Sequence, residues 1–193
     1  MTKTFFKMHG IGNDYIYFDC FDWFPADPGA VAKRLSDRHF SVGGDGVVFI
    51  CRSEVADAKM RMFNADGSEG KMCGNAIRCI GKFLYEVKGM KKDVLTVETL
   101  SGIKTLALTV ENAIVVSVRV DMGAAELCPA RIPANFPGDR AVDVPLEVAG
   151  KQYRVTCVSM GNPHCVPFVS DPYAVDLEQL GPLFGHDGHF PER

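Results

Sequence analysis

Nothing in this chain supplies a disulfide framework or a structural zinc site. Its cysteines number seven, no two form a Cys-x-x-Cys pair, and no His/Cys cluster has zinc-ligand spacing. Reduced thiols and no metal are the expectation. Lysine and arginine never gather into a basic stripe, and the formal net charge is −3. A protein that grips a nucleic-acid backbone needs such a stripe, so nucleic acid is not an expected partner. The opening residues MTKTFFKMHG lack the apolar run of a signal peptide, and no segment reaches the roughly 20 apolar residues of a membrane-spanning helix. A cytoplasmic protein with a small neutral or zwitterionic ligand is expected. A phosphate loop is missing as well: the glycine-rich SVGGDG at 41–46 contains no GxxxxGK[ST] and leads into a strand where a helix is needed.

What is present is globular. The 193 residues, 47% hydrophobic and 23% charged, suffice for one large domain or two small ones. Phe5 to His9 and Asp14 to Phe18 read as strands around a Gly10-Ile11-Gly12-Asn13 turn. Pro28 to Arg38 reads as a helix, followed by strands at Val47 to Cys51 and Lys59 to Phe63. Val94 to Thr99, Ile103 to Val110 and Ala113 to Val120 form a meander. Asp121-Met122-Gly123 and the proline-rich 128–137 mark a boundary, so the expected lobes are 1–122 and 123–193. In the second, Ala141 to Val148 and Gln152 to Ser159 read as a hairpin, Cys165 to Val169 as a strand and Asp176 to Leu183 as a short helix. With about 70 residues that lobe is marginal for a core of its own, and the chain reads as a fragment.

The chemistry concentrates at Lys71 to Gly89. Ile77, Ile80, Leu84 and Val87 recur at three and four, so Asn75 to Lys88 reads as an amphipathic helix with one buried face. Cys73 stands at its mouth, where unpaired amides and the helix dipole stabilise a thiolate. Gly74 and Asn75 follow; a glycine admits close approach to the backbone, and free amides at a helix start bind anions such as a carboxylate. Cys79 reads as core. Asn64 and Asn162, beside Asp-Gly and Pro, suit turn capping, and His164 suits a hydrogen-bonded loop position. Asp45 and Asp66 read as turn residues, and Tyr15 and Tyr17 as core or cleft wall.

Five segments stand in one order: HGIGNDY from His9, FNADGSE from Phe63, MCGN from Met72, SMGNPH from Ser159 and FPER from Phe190. Together they closely resemble the diaminopimelate epimerase family, over Met8 to Arg193. The resemblance implies an α+β fold, a two-lobed α/β protein in which each lobe is a β-barrel-like sheet around a central helix, the second lobe here incomplete. It implies an isomerase that interconverts LL- and meso-2,6-diaminopimelate for lysine and peptidoglycan synthesis, with no pyridoxal phosphate, metal or other cofactor, and a homodimer when full length. By that pattern Cys73 is one of two acid/base cysteines, Gly74 and Asn75 hold the reacting amino-acid end, Asn13, Asn64 and Asn162 bind substrate polar groups, and His164 tunes the cysteines.

Three departures stand out. Ala76 replaces a glycine common after Cys-Gly-Asn. Gly46 stands where some members carry a substrate-contacting glutamine. The second catalytic cysteine, in a Cys-Gly-Thr/Ser-Gly motif, and the Glu-Arg pair before it are not among these residues, so the chain reads as the front two-thirds of such an enzyme, an inactive fragment that is catalytically incomplete as given. Two other readings compete: a different pyridoxal-phosphate-independent racemase or isomerase of the same fold, of the proline racemase or phenazine-biosynthesis type, and a non-catalytic module that captures an amino acid at the start of the helix.

Overall fold

Two stretches of the sequence are apolar on both faces, and this fixes their place in the middle of a sheet. They are β2 (Asn13–Cys20) and β3 (Gly46–Cys51), which run parallel with Tyr15 beside Gly46 and Cys20 beside Cys51. The computed structural model describes residues 2–191; the Glu192-Arg193 end of the last family-like segment lies outside the described residues.

β1 (Phe5–Gly10) pairs antiparallel with β2 across a turn in which Ile11 and Gly12 both have positive φ, 55° and 82°. The crossover from β2 to β3 carries α1 (Pro28–Leu35), capped by Asp27, whose carboxylate accepts from the Ala30 amide at 2.9 Å. It ends at Ser36, short of the expected Arg38. β4 (Ala58–Asn64) is antiparallel to β3, and the two-residue β5 (Glu69–Gly70) folds back on β4. α2 (Gly74–Glu86) comes next. The expected meander then follows as β6 (Val94–Thr99), β7 (Gly102–Glu111) and β8 (Ile114–Val120). The sheet runs β1-β2-β3-β4-β6-β7-β8, with β5 beside β4.

The strands divide their side chains between two helices. Toward α2 they send Tyr15, Tyr17, Val48, Ile50, Met60, Met62, Leu95, Val97 and Leu106, which enclose Ile77, Cys79, Ile80, Phe83 and Leu84. Toward α1 go Ile16, Phe18, Val47, Phe49 and Phe63, against Ala32, Val31 and Leu35. Val87 was expected on the buried face of α2, but the helix stops at Glu86 and Val87 is 52% exposed. Phe83 takes the interior place, with Phe6 edge-on at 5.1 Å between centroids.

A first compact unit ends at Met122 and a second begins at Gly123. The second holds a sheet ordered β11-β10-β9, made of β9 (Val144–Val148), β10 (Lys151–Ser159) and β11 (Pro163–Phe168). α3 (Leu177–Gly185), capped by Asp176, lays Leu180 and Phe184 against Leu146, Val148 and Val155. The fold is α+β: mostly antiparallel sheet with few helices. No helix among the described residues is long and apolar enough to cross a membrane.

Candidate active site

Cys73 occupies the N-cap of α2, where Ser, Thr, Asp or Asn usually caps. Its backbone is extended, its carbonyl accepts from the Ile77 amide at 3.0 Å, and its side chain makes no capping bond. The sulfur is therefore not spent on the helix, and no acidic side chain in the first turn neutralises the dipole. Glycine at position 74 is not demanded by packing. A Cβ there would meet only the Met122 side chain, at 3.8 Å, an ordinary contact. What the missing side chain does allow is close approach of a ligand to the first-turn amides.

The next side chain is held by its own helix. Arg78 donates from Nη2 to Asn75 Oδ1 at 2.6 Å and from Nη1 to the Gly74 carbonyl at 2.9 Å. With its oxygen committed, Asn75 presents the two N–H groups of its amide as donors. That polarity suits an acceptor such as a carboxylate.

Asn13 opens β2, paired with Gly10 at the end of β1. The Oδ1 of Asn13 is buried and without a partner among the described residues. A buried acceptor left unmet carries a desolvation penalty that a donor from a ligand relieves. Asn64 ends β4 opposite Gly46, which lies beside Tyr15, so the three share one row across the sheet. Its Nδ2 donates to Ser68 Oγ at 3.0 Å, and its backbone closes the 64–68 turn with Ser68, so turn capping is one of its duties. Cys73, Gly74 and Asn75 share one turn, and Gly10, paired with Asn13 and packed on the Asn75 carbonyl, sets Asn13 beside it, with Asn64 on the Tyr15 row.

Asn162 and His164 belong to the second unit. Asn162 is exposed in the turn between β10 and β11. His164 is exposed on β11 opposite Val158, and it lines a cavity of about 190 Å³ with Cys157, Cys165, Phe184 and Phe190.

The thiols are not equivalent. Burial pushes Cys20 and Cys165 up to about 12 and Cys51 up to about 11, and raises Cys79 and Cys157 too. These five keep their protons through neutral pH. Burial, reinforced by the adjacent Cys73 sulfur, also holds the Tyr15 phenol well above the ordinary tyrosine range.

Tyr15 and Tyr17 lie in the core, as expected. Two features escaped the sequence reading. Arg78 fixes Asn75, a contact that the helical i, i+3 spacing foreshadows. Asp45 does more than turn the chain. It accepts the Asp14 amide at 3.0 Å and returns its own amide to the Asp14 carbonyl at 2.7 Å, while Arg38 bridges Asp14 and Asp45 at 2.6 and 2.9 Å. Lys7 adds a further pair to Asp14 at 2.6 Å. This cluster ties the start of β2 to the loop entering β3.

Residues 5–128 match the family described as diaminopimelate epimerase. Curated relatives carrying that name include one from Acetivibrio thermocellus, 52% identical over 98% of this chain and 68% of its own length. Another, from Desulfovibrio desulfuricans, is 50% identical over 100% of this chain and 69% of its own. Among solved structures, a hydroxyproline epimerase from Agrobacterium vitis matches with TM-score 0.60 at 14% identity, over 92% of this chain and 52% of that one. A phenazine biosynthesis protein of the PhzF family from Bacillus anthracis matches with TM-score 0.58 at 21% identity, over 86% of this chain and 56% of that one. At such identities these two structures speak for the fold alone.

Proposed function

Since the chain belongs to the diaminopimelate epimerase family, a family of isomerases, we propose that it interconverts LL- and meso-2,6-diaminopimelate, with Cys73 as the acid/base on one face of the α-carbon. The observation that carries the site assignment is the half-buried Cys73 at the start of α2, its side chain making no capping bond.

The chemistry follows from that position. The thiolate takes the α-proton and becomes a thiol, leaving the electron pair on carbon and its adjoining carboxylate. Without an electron sink the carbanion depends on fixed dipoles, and the first-turn amides with the Asn75 amide supply them in a place that needs no reorganisation. Inversion requires a proton on the opposite face. The family resemblance assigns it to a cysteine in a Cys-Gly-Thr/Ser-Gly motif, whereas Cys-Gly occurs in these 193 residues only at Cys73-Gly74. Asn13, with its unmet oxygen, suits the substrate ammonium, and Asn64 and Asn162 are assigned to polar groups of the substrate by resemblance. His164 is assigned the tuning of the cysteines on the same basis. The reading extends to a cytoplasmic homodimer acting without cofactor in lysine and peptidoglycan synthesis; family resemblance is what supports these points.

Incubation with meso-diaminopimelate in deuterated water tests the proposal. Deuterium is expected at the α-carbon, and Cys73→Ala is expected to abolish its uptake. Undiminished uptake in that variant removes Cys73 from the reaction, and equal uptake into proline removes the substrate assignment.

A further inference from the structure

Two cysteines of the second unit stand directly opposite each other, Cys157 on β10 and Cys165 on β11. Antiparallel partners alternate between pairs that exchange backbone hydrogen bonds and pairs that do not, and the amides tell which kind this is. The Cys157 amide donates to the Ala141 carbonyl at 2.8 Å, and two residues on the Ser159 amide donates to the Glu126 carbonyl at 2.9 Å, so both turn away from β11. Cys157 and Cys165 are therefore a non-hydrogen-bonded pair, the closer of the two kinds, with α-carbons about 4.5 Å apart and side chains leaving the sheet on one face.

That face is not filled beside them. The pair borders the cavity of about 190 Å³ whose other walls include Ile132, Phe184 and Phe190. Apolar space of this extent accommodates an aryl group, since a cavity of about 150 Å³ lined by Leu, Ile and Phe takes up benzene. Cys157 is 1% exposed and Cys165 is half-buried. A reagent entering the cavity therefore meets Cys165 first.

Burial raises both thiols, Cys165 to about 12, so the pair meets a ligand as two neutral S–H groups. Alkylation and thiol–disulfide exchange proceed through a thiolate and are slow here. Trivalent arsenic is different, because the oxygen bound to it accepts the thiol protons. With an aryl arsenoxide, the Cys165 sulfur bonds to arsenic while its proton passes to the arsenic-bound oxygen. The Cys157 sulfur then bonds to arsenic, its proton joins the hydroxyl so formed, and water leaves. Two As–S bonds have replaced the As=O bond, with no change of oxidation state and no co-reactant.

We propose that Cys157, Cys165 and the cavity beside them form a dithiol site for aryl-bearing trivalent arsenicals. Neither sulfur takes part in the proposed function, so the two readings stand or fall separately. The chain supplies its own comparison. Cys20 and Cys51 also stand opposite each other, in the parallel register of β2 and β3, but the Cys51 thiol donates to the Phe49 carbonyl at 3.7 Å and is turned back along its own strand.

The experiment is titration of the 193-residue chain with phenylarsine oxide, read by intact-protein mass spectrometry after a wash in excess 2-mercaptoethanol, which strips arsenic from single thiols. One equivalent is expected to remain, as the arsenical less one water, and to be released by 2,3-dimercaptopropanol. The second As–S bond forms intramolecularly, so Cys165→Ala and Cys157→Ala are each expected to weaken retention by about a hundredfold or more, whereas Cys51→Ala leaves it unchanged. Circular dichroism checks that each variant folds. Peptic digestion of the parent adduct in acid, where As–S bonds persist, needs no variant and is expected to place the arsenic on peptides containing Cys157 and Cys165. No retained equivalent on the parent, undiminished retention in folded Cys165→Ala, or arsenic mapped to Cys20 and Cys51 would each overturn the proposal.

Discussion

A Cβ on Gly10 would stand 2.8 Å from the carbonyl oxygen of Asn75, so the last residue of β1 meets the first turn of α2 backbone to backbone. Glycine is required there for close approach, whereas its neighbours Ile11 and Gly12 provide the positive φ angles of the turn. Gly10→Ala is expected to lower stability by roughly 1–3 kcal/mol, the usual range for overpacking. Because the displaced atoms belong to the turn that presents Cys73, the alkylation rate at Cys73 is expected to change along with the urea midpoint. An unchanged rate in a destabilised protein would show that the strain is relieved elsewhere.

Thiol chemistry should discriminate sharply among positions. Limited iodoacetamide treatment at pH 7.5 is expected to label Cys73 well before Cys20, Cys51, Cys79, Cys157 and Cys165, whose pKa values burial raises. Peptide mapping by mass spectrometry reads this directly. Equal labelling of Cys73 and Cys165 would contradict the assignment of Cys73 as the accessible nucleophile.

Acid should loosen the junction between β2 and β3. Hydrogen bonds from Arg38 and then Lys7 hold the Asp14 carboxyl well below the ordinary carboxylate range. A folded value below the unfolded one means that Asp14 contributes stability above the ordinary range and loses it as pH falls through and below about 4. The melting temperature is expected to drop over that interval, and Asp14→Asn to flatten the drop while lowering the plateau at neutral pH. Since Arg38 is half-exposed, salt should weaken the effect. A slope unchanged in Asp14→Asn would assign the acid sensitivity to other carboxylates.

The interior prediction concerns Phe83, which is 1% exposed and stacks edge-on with Phe6. Phe83→Ala is expected to cost about 3–5 kcal/mol in denaturant titration, whereas Val87→Ala, on the exposed residue after the helix, should stay within roughly 0.5 kcal/mol. Similar losses from both would return Val87 to the buried face suggested by its spacing.

The contrast between Phe83 and Val87 shows how far the letters carried. Ile77, Ile80 and Leu84 announced α2 because their spacing is local, but its last turn depended on where Gly89, with φ 72°, turns the chain. The hairpins were legible from their turn residues, and the meander from its alternating strands. Cys73 was legible because a thiol before Gly-Asn at a helix start is a local pattern. The seat of Tyr15 beside Gly46 was not: it depends on β2 lying parallel to β3 and on Gly46 leaving room for the ring, a pairing between distant segments that leaves no periodic trace. The Asp14, Arg38 and Asp45 cluster was hidden for the same reason, its members being brought together only by the βαβ crossover.

α2 touches β1 and β8, the opposite margins of the sheet, as well as strands between them. A rod gripped at both rims of its cradle has little freedom to slide or tilt, so the sulfur at its tip is an anchored point against which a substrate must be brought. Substitutions that loosen the cradle should therefore degrade the aim of that sulfur before they degrade folding.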